Sequence, residues 1–344
     1  MKAPVIFFVA AVSVMGYSAI ASCMLGKGLD FKEAATNVNV RLSVVASSGE
    51  LGFGDVDFQG YLGFLGRISR MEQLRELSII ILDSPIGGLT FPADALEGLT
   101  NLCSLEIWNC GTNPVKLTSI GKWKKLPIRN LVLKYLDIEG TDQTCSFPNL
   151  ESLYCTSEKV LANAPDTLFT LRVEAMETQG RLSFSRFRRL TVLHLCDVKC
   201  HGIDGIEALK NLESLSLHDA GLLELSCVRA CAKLKCLEIS SCGRLVGNVN
   251  LACLGRLPLE SMELEDLRLE EIRGLERCPL VDLVVKGGEI GSLNDICDLP
   301  KLERLDVSET SIHVIERDSV KKRFPNLKRL CYTDIDLNCV CVEW

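Results

Sequence analysis

The chain has 344 residues, of which 47% are hydrophobic and only 6% aromatic, and it carries a formal net charge of −7. This aliphatic content excludes a disordered chain and points to a core of stacked Leu and Val rather than large rings. With no basic run or stripe, the balance of charge argues against nucleic acid or an anionic membrane surface as a partner.

At the start of the chain, Lys2 supplies a positive flank, Val5 to Val14 an apolar run, and Ala19-Ile20-Ala21 a small-x-small end. Together these predict a signal peptide over residues 1–21, with the mature chain beginning near Ser22. The competing reading is a buried N-terminal strand or helix. Ile20-Ala21-Ser22-Cys23 also resembles a bacterial lipoprotein box, in which Cys23 would be lipidated. No later stretch approaches about 18 uninterrupted apolar residues, so no transmembrane span is expected after the signal peptide. The expected localisation is secreted or cell surface, and without an Asn-x-Ser/Thr sequon no N-glycosylation is expected.

Residues 22–73 read as an N-terminal cap, in which Leu42 and Val44 suit a degenerate first strand. A terminal unit must differ because an outermost repeat otherwise exposes its apolar ladder. From Leu74 the pattern Leu-x-x-Leu-x-Leu recurs: Leu74, Leu77, Ile79, then Leu102, Leu105, Ile107, then Ile128, Leu131, Leu133. Further units start at Leu150, Leu168, Leu190, Leu212, Leu234, Leu259, Leu280, Leu302 and Leu327, mostly 22 residues apart, giving about twelve repeats over 74–335. A Leu-x-Leu core has period two and reads as a short strand that only stacked neighbours can bury. The return half carries apolar residues at spacing three, as in Ile203, Ile206, Leu209 and Leu212, and again in Ile296, Leu299 and Leu302, which suits short 3₁₀ or helical segments.

A motif recurring in phase in this way resembles the leucine-rich-repeat family. The resemblance implies an α/β leucine-rich-repeat solenoid: a horseshoe with a parallel sheet on its concave side and short 3₁₀ or helical segments on the convex side. The 22-residue period is similar to the internalin-like and protein-phosphatase-regulator-like subclasses. One departure stands out. Where the family usually has a ladder Asn, three residues past the second strand Leu, this chain has Leu82, Cys110, Leu136, Val198, Ala220, Cys242, Leu267, Gly288, Thr310 and Ile335. Only Cys110, Cys242 and Thr310 offer a donor to the loop backbone, so a less regular turn is expected. Residues 336–344 form a short C-terminal cap resembling the opening of the cysteine-containing flank of extracellular members. The family's downstream cysteines are missing, so any bridge from Cys339 or Cys341 needs a partner such as Cys331.

Of the 17 cysteines, Cys231 and Cys278 occupy the inward position held elsewhere by Leu99, Leu209, Leu257 and Leu299, and Cys155 holds a second strand Leu position. They read as small buried hydrophobes rather than a disulfide framework. There is no phosphate-binding Gly-rich loop, no Gly-x-Ser-x-Gly elbow and no His-Glu-x-x-His, while Gly87-Gly88 and Gly287-Gly288 read as turns. No cofactor and no enzymatic activity are expected.

Matched positions of neighbouring strands lie about 4.8 Å apart, so aligning Leu190 with Leu212 sets Cys196 beside His218 and Asp197 beside Asp219, with His194 on the same face. These are zinc ligands by type, yet outward repeat positions are polar in any case, and the expectation is a recognition surface without a metal. On that concave face Trp108, Tyr135 and Tyr154 form an aromatic third, the residue type enriched at binding hot spots. Glu238, Glu263, Glu265, Asp266, Asp306 and Glu309 form an acidic stripe suited to a basic protein partner. The expected function is an exported or surface-displayed binder of a macromolecule. Its alternatives are an intracellular scaffold or regulatory subunit and, further off, a metal-binding protein.

Overall fold

The structure, a computed structural model, describes residues 6–14, 17–23, 38–46, 74–81, 89–139, 147–220, 225–241, 251–267, 269–287, 289–312, 315 and 317–344. Leu82, Gly87, Gly88, Cys242, Gly288 and most of the expected N-terminal cap lie outside the described residues. The chain forms two compact units, Met1–Leu168 and Phe169–Trp344.

In the first unit the Leu-x-Leu cores become the parallel strands Leu74–Ile81, Ser104–Asn109, Asn130–Lys134 and Ser152–Cys155. Val38–Ala46 joins in parallel ahead of them, with Leu42 opposite Ile79 and Val44 opposite Ile81. Ile6–Val14 pairs antiparallel with both Val38–Ala46 and Tyr17–Cys23. Cleavage near Ala21 would therefore remove one whole strand and most of another. On the return side, Leu89–Pro92, Val115–Thr118 and Asp137–Ile138 make a second small parallel sheet. Trp123, in the 3₁₀ segment Ile120–Lys125, is fully buried and donates its indole N–H to the Ala93 carbonyl at 2.7 Å.

In the second unit eight strands run parallel: Thr170–Glu177, Val192–Lys199, Ser214–Ala220, Cys236–Ser240, Ser261–Glu265, Asp282–Lys286, Arg304–Val307 and Arg329–Thr333. The register sets Leu171, Leu193, Leu215, Leu237, Met262, Leu283, Leu305 and Leu330 side by side, all buried. A second ladder runs Val173, Leu195, Leu217, Ile239, Leu264 and Val285. Each buried Leu contributes roughly 2 kcal/mol of hydrophobic stabilisation that one repeat alone could not obtain. The 3₁₀ segments Ile206–Ala208 and Leu293–Asp295 lie where the spacing-three pattern predicts them or just ahead of it, and a short parallel pair, Arg181–Ser183 with Gly202–Asp204, joins the return side. Cys339–Glu343 closes the last strand antiparallel, with a Cys331–Cys341 disulfide across the pair. The bridge uses the partner that the sequence offered.

The expected irregularity holds in the first unit, where Ser157, two residues past Cys155, is extended, but is corrected in the second, where one reversal recurs although the ladder Asn is missing. The second residue past the strand core adopts the left-handed conformation at Tyr135 in the first unit, and at Ala175, Asp197, Asp219, Ser241, Asp266, Gly287 and Glu309 in the second. The next residue then turns inward: Leu136, Met176, Val198, Ala220 and Leu267 are buried. A repeated backbone reversal followed by an apolar anchor replaces the amide ladder. Asp at three of these positions suits it, since short polar side chains tolerate the left-handed region best. Thr310 does bond the loop, donating to the Val307 carbonyl at 2.7 Å.

Cys155, Cys231 and Cys278 are buried free thiols, as their ladder positions imply. Burial pushes the Cys155 thiol up to about 12 and those of Cys231 and Cys278 to about 11. Thiolate is the reactive form, so these sites resist alkylation at pH 8. We expect iodoacetamide to modify exposed Cys110, Cys236 and Cys339 in the native protein and to reach Cys155, Cys231 and Cys278 only after denaturation, as read by peptide mass spectrometry. Equal labelling in both states would contradict the ladder assignment.

Candidate partner-binding face

Strand alternation buries the Leu positions and turns the residues between them outward. In the first unit the register sets Trp108 beside Lys134, and Val132 beside Tyr154. The Lys134 ammonium lies 4.4 Å from the ring centroid of Trp108, 4.4 Å from that of Tyr154 and 5.6 Å from that of Tyr135. The aromatics thus gather around one cation that their rings attract. Lys134 is buried beneath them, and sequence reading passed over it although its outward phase was legible. Tyr135 differs from expectation. It has left the strand for the left-handed turn, where its N–H donates to Thr156 Oγ1 and the residue is 43% exposed. The Trp108 indole N–H is buried without a hydrogen-bond partner.

In the second unit two rows of outward side chains follow a third at the strand starts, which runs Thr170, Val192, Ser214, Cys236, Ser261, Asp282, Arg304, Arg329. Of the two, one runs Arg172, His194, Ser216, Glu238, Glu263, Val284, Asp306, and the other Glu174, Cys196, His218, Ser240, Glu265, Lys286. Glu238 and Glu263 are direct neighbours, and Glu265 stands two residues along the strand from Glu263. Burial, then the hydrogen bond and charge of Glu265, raise the Glu263 carboxyl above the usual carboxylate range. Glu265 is held below it by the hydrogen bond from Lys286, whose Nζ is 2.8 Å away. Asp306 accepts from the Ser308 N–H at 2.9 Å.

The acidic stripe is therefore narrower than expected. Val284 and Lys286 interrupt it, and Asp266 and Glu309 belong to the left-handed turns rather than to the rows. Counting the alternation beyond the end of each strand placed them on the face. Cys196 does stand beside His218 in register, whereas Asp197 and Asp219, inside their strands, take the left-handed conformation and drop out of the pairing. Instead, one ligand atom each from His194, His218 and Glu238 lies within 4.8 Å of the others.

No family model and no curated protein matches the chain. Among solved structures it is similar to a leucine-rich-repeat protein of Leptospira interrogans, at 17% identity and a TM-score of 0.49 over 78% of this chain and 74% of that one. It is also similar to the functional domain of InlJ from Listeria monocytogenes, described as including a cysteine ladder, at 18% identity and a TM-score of 0.40 over 75% of this chain and 67% of that one. No helix among the described residues is long and apolar enough to cross a membrane. The recurrent Leu-x-x-Leu-x-Leu units, stacked in parallel register with their leucines buried, give the chain a leucine-rich-repeat fold.

Proposed function

We propose that this chain is an exported or surface-displayed binding module, not an enzyme, that holds a basic protein partner on the outward face of its parallel strands. The observation that carries the reading is the pair of polar rows on a rigid ladder: Glu238 and Glu263 sit side by side with no basic neighbour in their own row. A rigid strand scaffold presents such groups without an ordering cost at the moment of binding. The Cys331–Cys341 bridge supports an oxidising compartment, as export requires. The pairing of Ile6–Val14 and Tyr17–Cys23 in the first unit favours the alternative, an intracellular scaffold that keeps these residues. N-terminal sequencing of protein from the producing cell decides between them: a start near Ser22 supports export, and an intact Met1 on cytosolic protein overturns it.

Photo-crosslinkers at positions 108 and 263 are expected to give adducts in the native setting, and those at return-side positions 210 and 233 none. The reverse pattern would move the binding site off the sheet. With the adduct identified, replacing Glu238, Glu263 and Glu265 by Gln together should slow association roughly 10-fold at low salt and flatten its salt dependence. Trp108→Ala should act mainly on dissociation. That substitution also removes one ring over Lys134, so its melting curve must accompany the kinetics.

A further inference from the structure

We propose that His194, His218 and Glu238 form a site for one divalent transition-metal ion, zinc by ligand type, with a fourth coordination position left for water or a bound partner. The register explains how three strands supply one centre. His194 and Glu238 occupy the same row on either side of Ser216, and His218 stands in the adjoining row of the middle strand. Because Ser216 is small, the side chains on both sides can reach across it toward His218. The His194 and His218 rings lie 5.1 Å apart between centroids, and Glu238 Oε1 is 3.2 Å from His218 Nε2.

Zinc–nitrogen and zinc–oxygen bonds of about 2.0–2.2 Å at a tetrahedral centre set ligand atoms about 3.3 Å apart. His218 and Glu238 already have that spacing. The remaining separations, within 4.8 Å, close by small side-chain rotations. His218 is held as a ligating imidazole should be: its Nδ1 pairs with the Ser240 hydroxyl, so a proton on Nδ1 directs the Nε2 lone pair toward the cluster. Ser216 Oγ, 2.8 Å from Nε2, can turn its hydroxyl away to a metal-bound water.

The buried His194 Nε2 has no hydrogen-bond partner. With the His218 proton on Nδ1, two imidazole nitrogens and a carboxylate oxygen lie within 4.8 Å of one another as acceptors. One proton can satisfy a single pair of them, whereas a cation satisfies all three. The two imidazoles disfavour Ca²⁺ and Mg²⁺, which take oxygen ligands. The side chains of His218 and Glu238 are 26% and 38% exposed, so an ion could enter from solvent and retain an open position.

The test is equilibrium dialysis of the full chain against Zn²⁺, with metal content read by mass spectrometry and Co²⁺ as a spectroscopic substitute. About one ion per chain is expected, with a visible d–d spectrum of low-coordinate cobalt and no thiolate-to-cobalt band. The combined His194→Gln, His218→Gln, Glu238→Gln variant should bind none. Ser240→Ala should weaken affinity at least roughly 10-fold with the cobalt band shape altered, and His201→Gln, away from the cluster, should change neither. Melting of each variant without metal, unchanged from the parent, establishes that it is folded. Absence of zinc uptake by the parent chain overturns the proposal. So does zinc retained by the combined variant, or a thiolate band in the parent, because either assigns the ion to cysteines. The cobalt spectrum of the parent needs no variant and stays decisive if a variant misfolds. None of these readings depends on a protein partner.

Discussion

Leu215→Asp is expected to abolish cooperative melting of the Phe169–Trp344 unit. Leu215 is buried between Leu193 and Leu237 of the neighbouring strands, and an aspartate there has no cation or donor within the ladder. Burying an unpaired carboxylate, or protonating it to avoid the charge, comes on top of the lost packing. The combined destabilisation exceeds about 4 kcal/mol. In a solenoid each repeat is held by its neighbours, so damage to a middle repeat uncouples both flanks. Ser214→Asp is the matched control. It lies one residue earlier on the same strand and faces outward, where a carboxylate stays solvated and the cost is below about 1 kcal/mol. Differential scanning calorimetry distinguishes the two. A Leu215→Asp melt superimposable on the parent would mean that the strand phase is inverted.

That phase was the most legible part of the sequence. Leu193 and Leu195, Leu215 and Leu217, Leu237 and Ile239 all repeat at period two inside a fixed unit, and period two admits only one inward set. The replacement of Leu by Cys231 and Cys278 was readable for the same reason, since position in the unit specifies environment more strongly than residue type does. The short return-side strands, such as Gly202–Asp204, were not readable, because three residues are too few to show a period. Nor was the left-handed turn, which is filled by Tyr135, Ala175, Asp219 and Glu309 alike and is imposed by the stacked neighbours, not by local preference. For the outward face, alignment gave the correct neighbours along a row, as with Cys196 and His218. It could not show Glu238 reaching across two strands toward His194, because that depends on side-chain length over the small Ser216.

Gly205→Ala is expected to cost about 3 kcal/mol, far more than a glycine-to-alanine change in an ordinary loop. Gly205 opens the 3₁₀ segment Ile206–Ala208 at φ +81, in the left-handed region, and a Cβ there would clash with the Ser185 backbone nitrogen and lie 2.9 Å from Ser185 Cα. Two separate costs follow. A Cβ disfavours the left-handed backbone by roughly 1–2 kcal/mol, and the contact is with the backbone of the preceding repeat, which cannot swing aside as a long side chain would. Gly274 repeats the arrangement at φ +84, its Cβ position 2.5 Å from Ala252 Cα. Ser119 stands at the corresponding step before Ile120 with φ 60, so in the first unit the same turn accommodates a side chain. The two costs can therefore be separated by urea unfolding of Gly205→Ala beside Ser119→Gly. Relief of left-handed strain should leave Ser119→Gly equal to the parent or up to about 1 kcal/mol more stable, against the entropy that glycine adds to the unfolded chain. Gly205→Ala should lose stability with its urea m-value unchanged, because the same surface is exposed on unfolding. If Gly205→Ala unfolds at the parent's midpoint, the return segments are not packed backbone to backbone, and the close stacking that holds the outward rows in register must come from the strands alone.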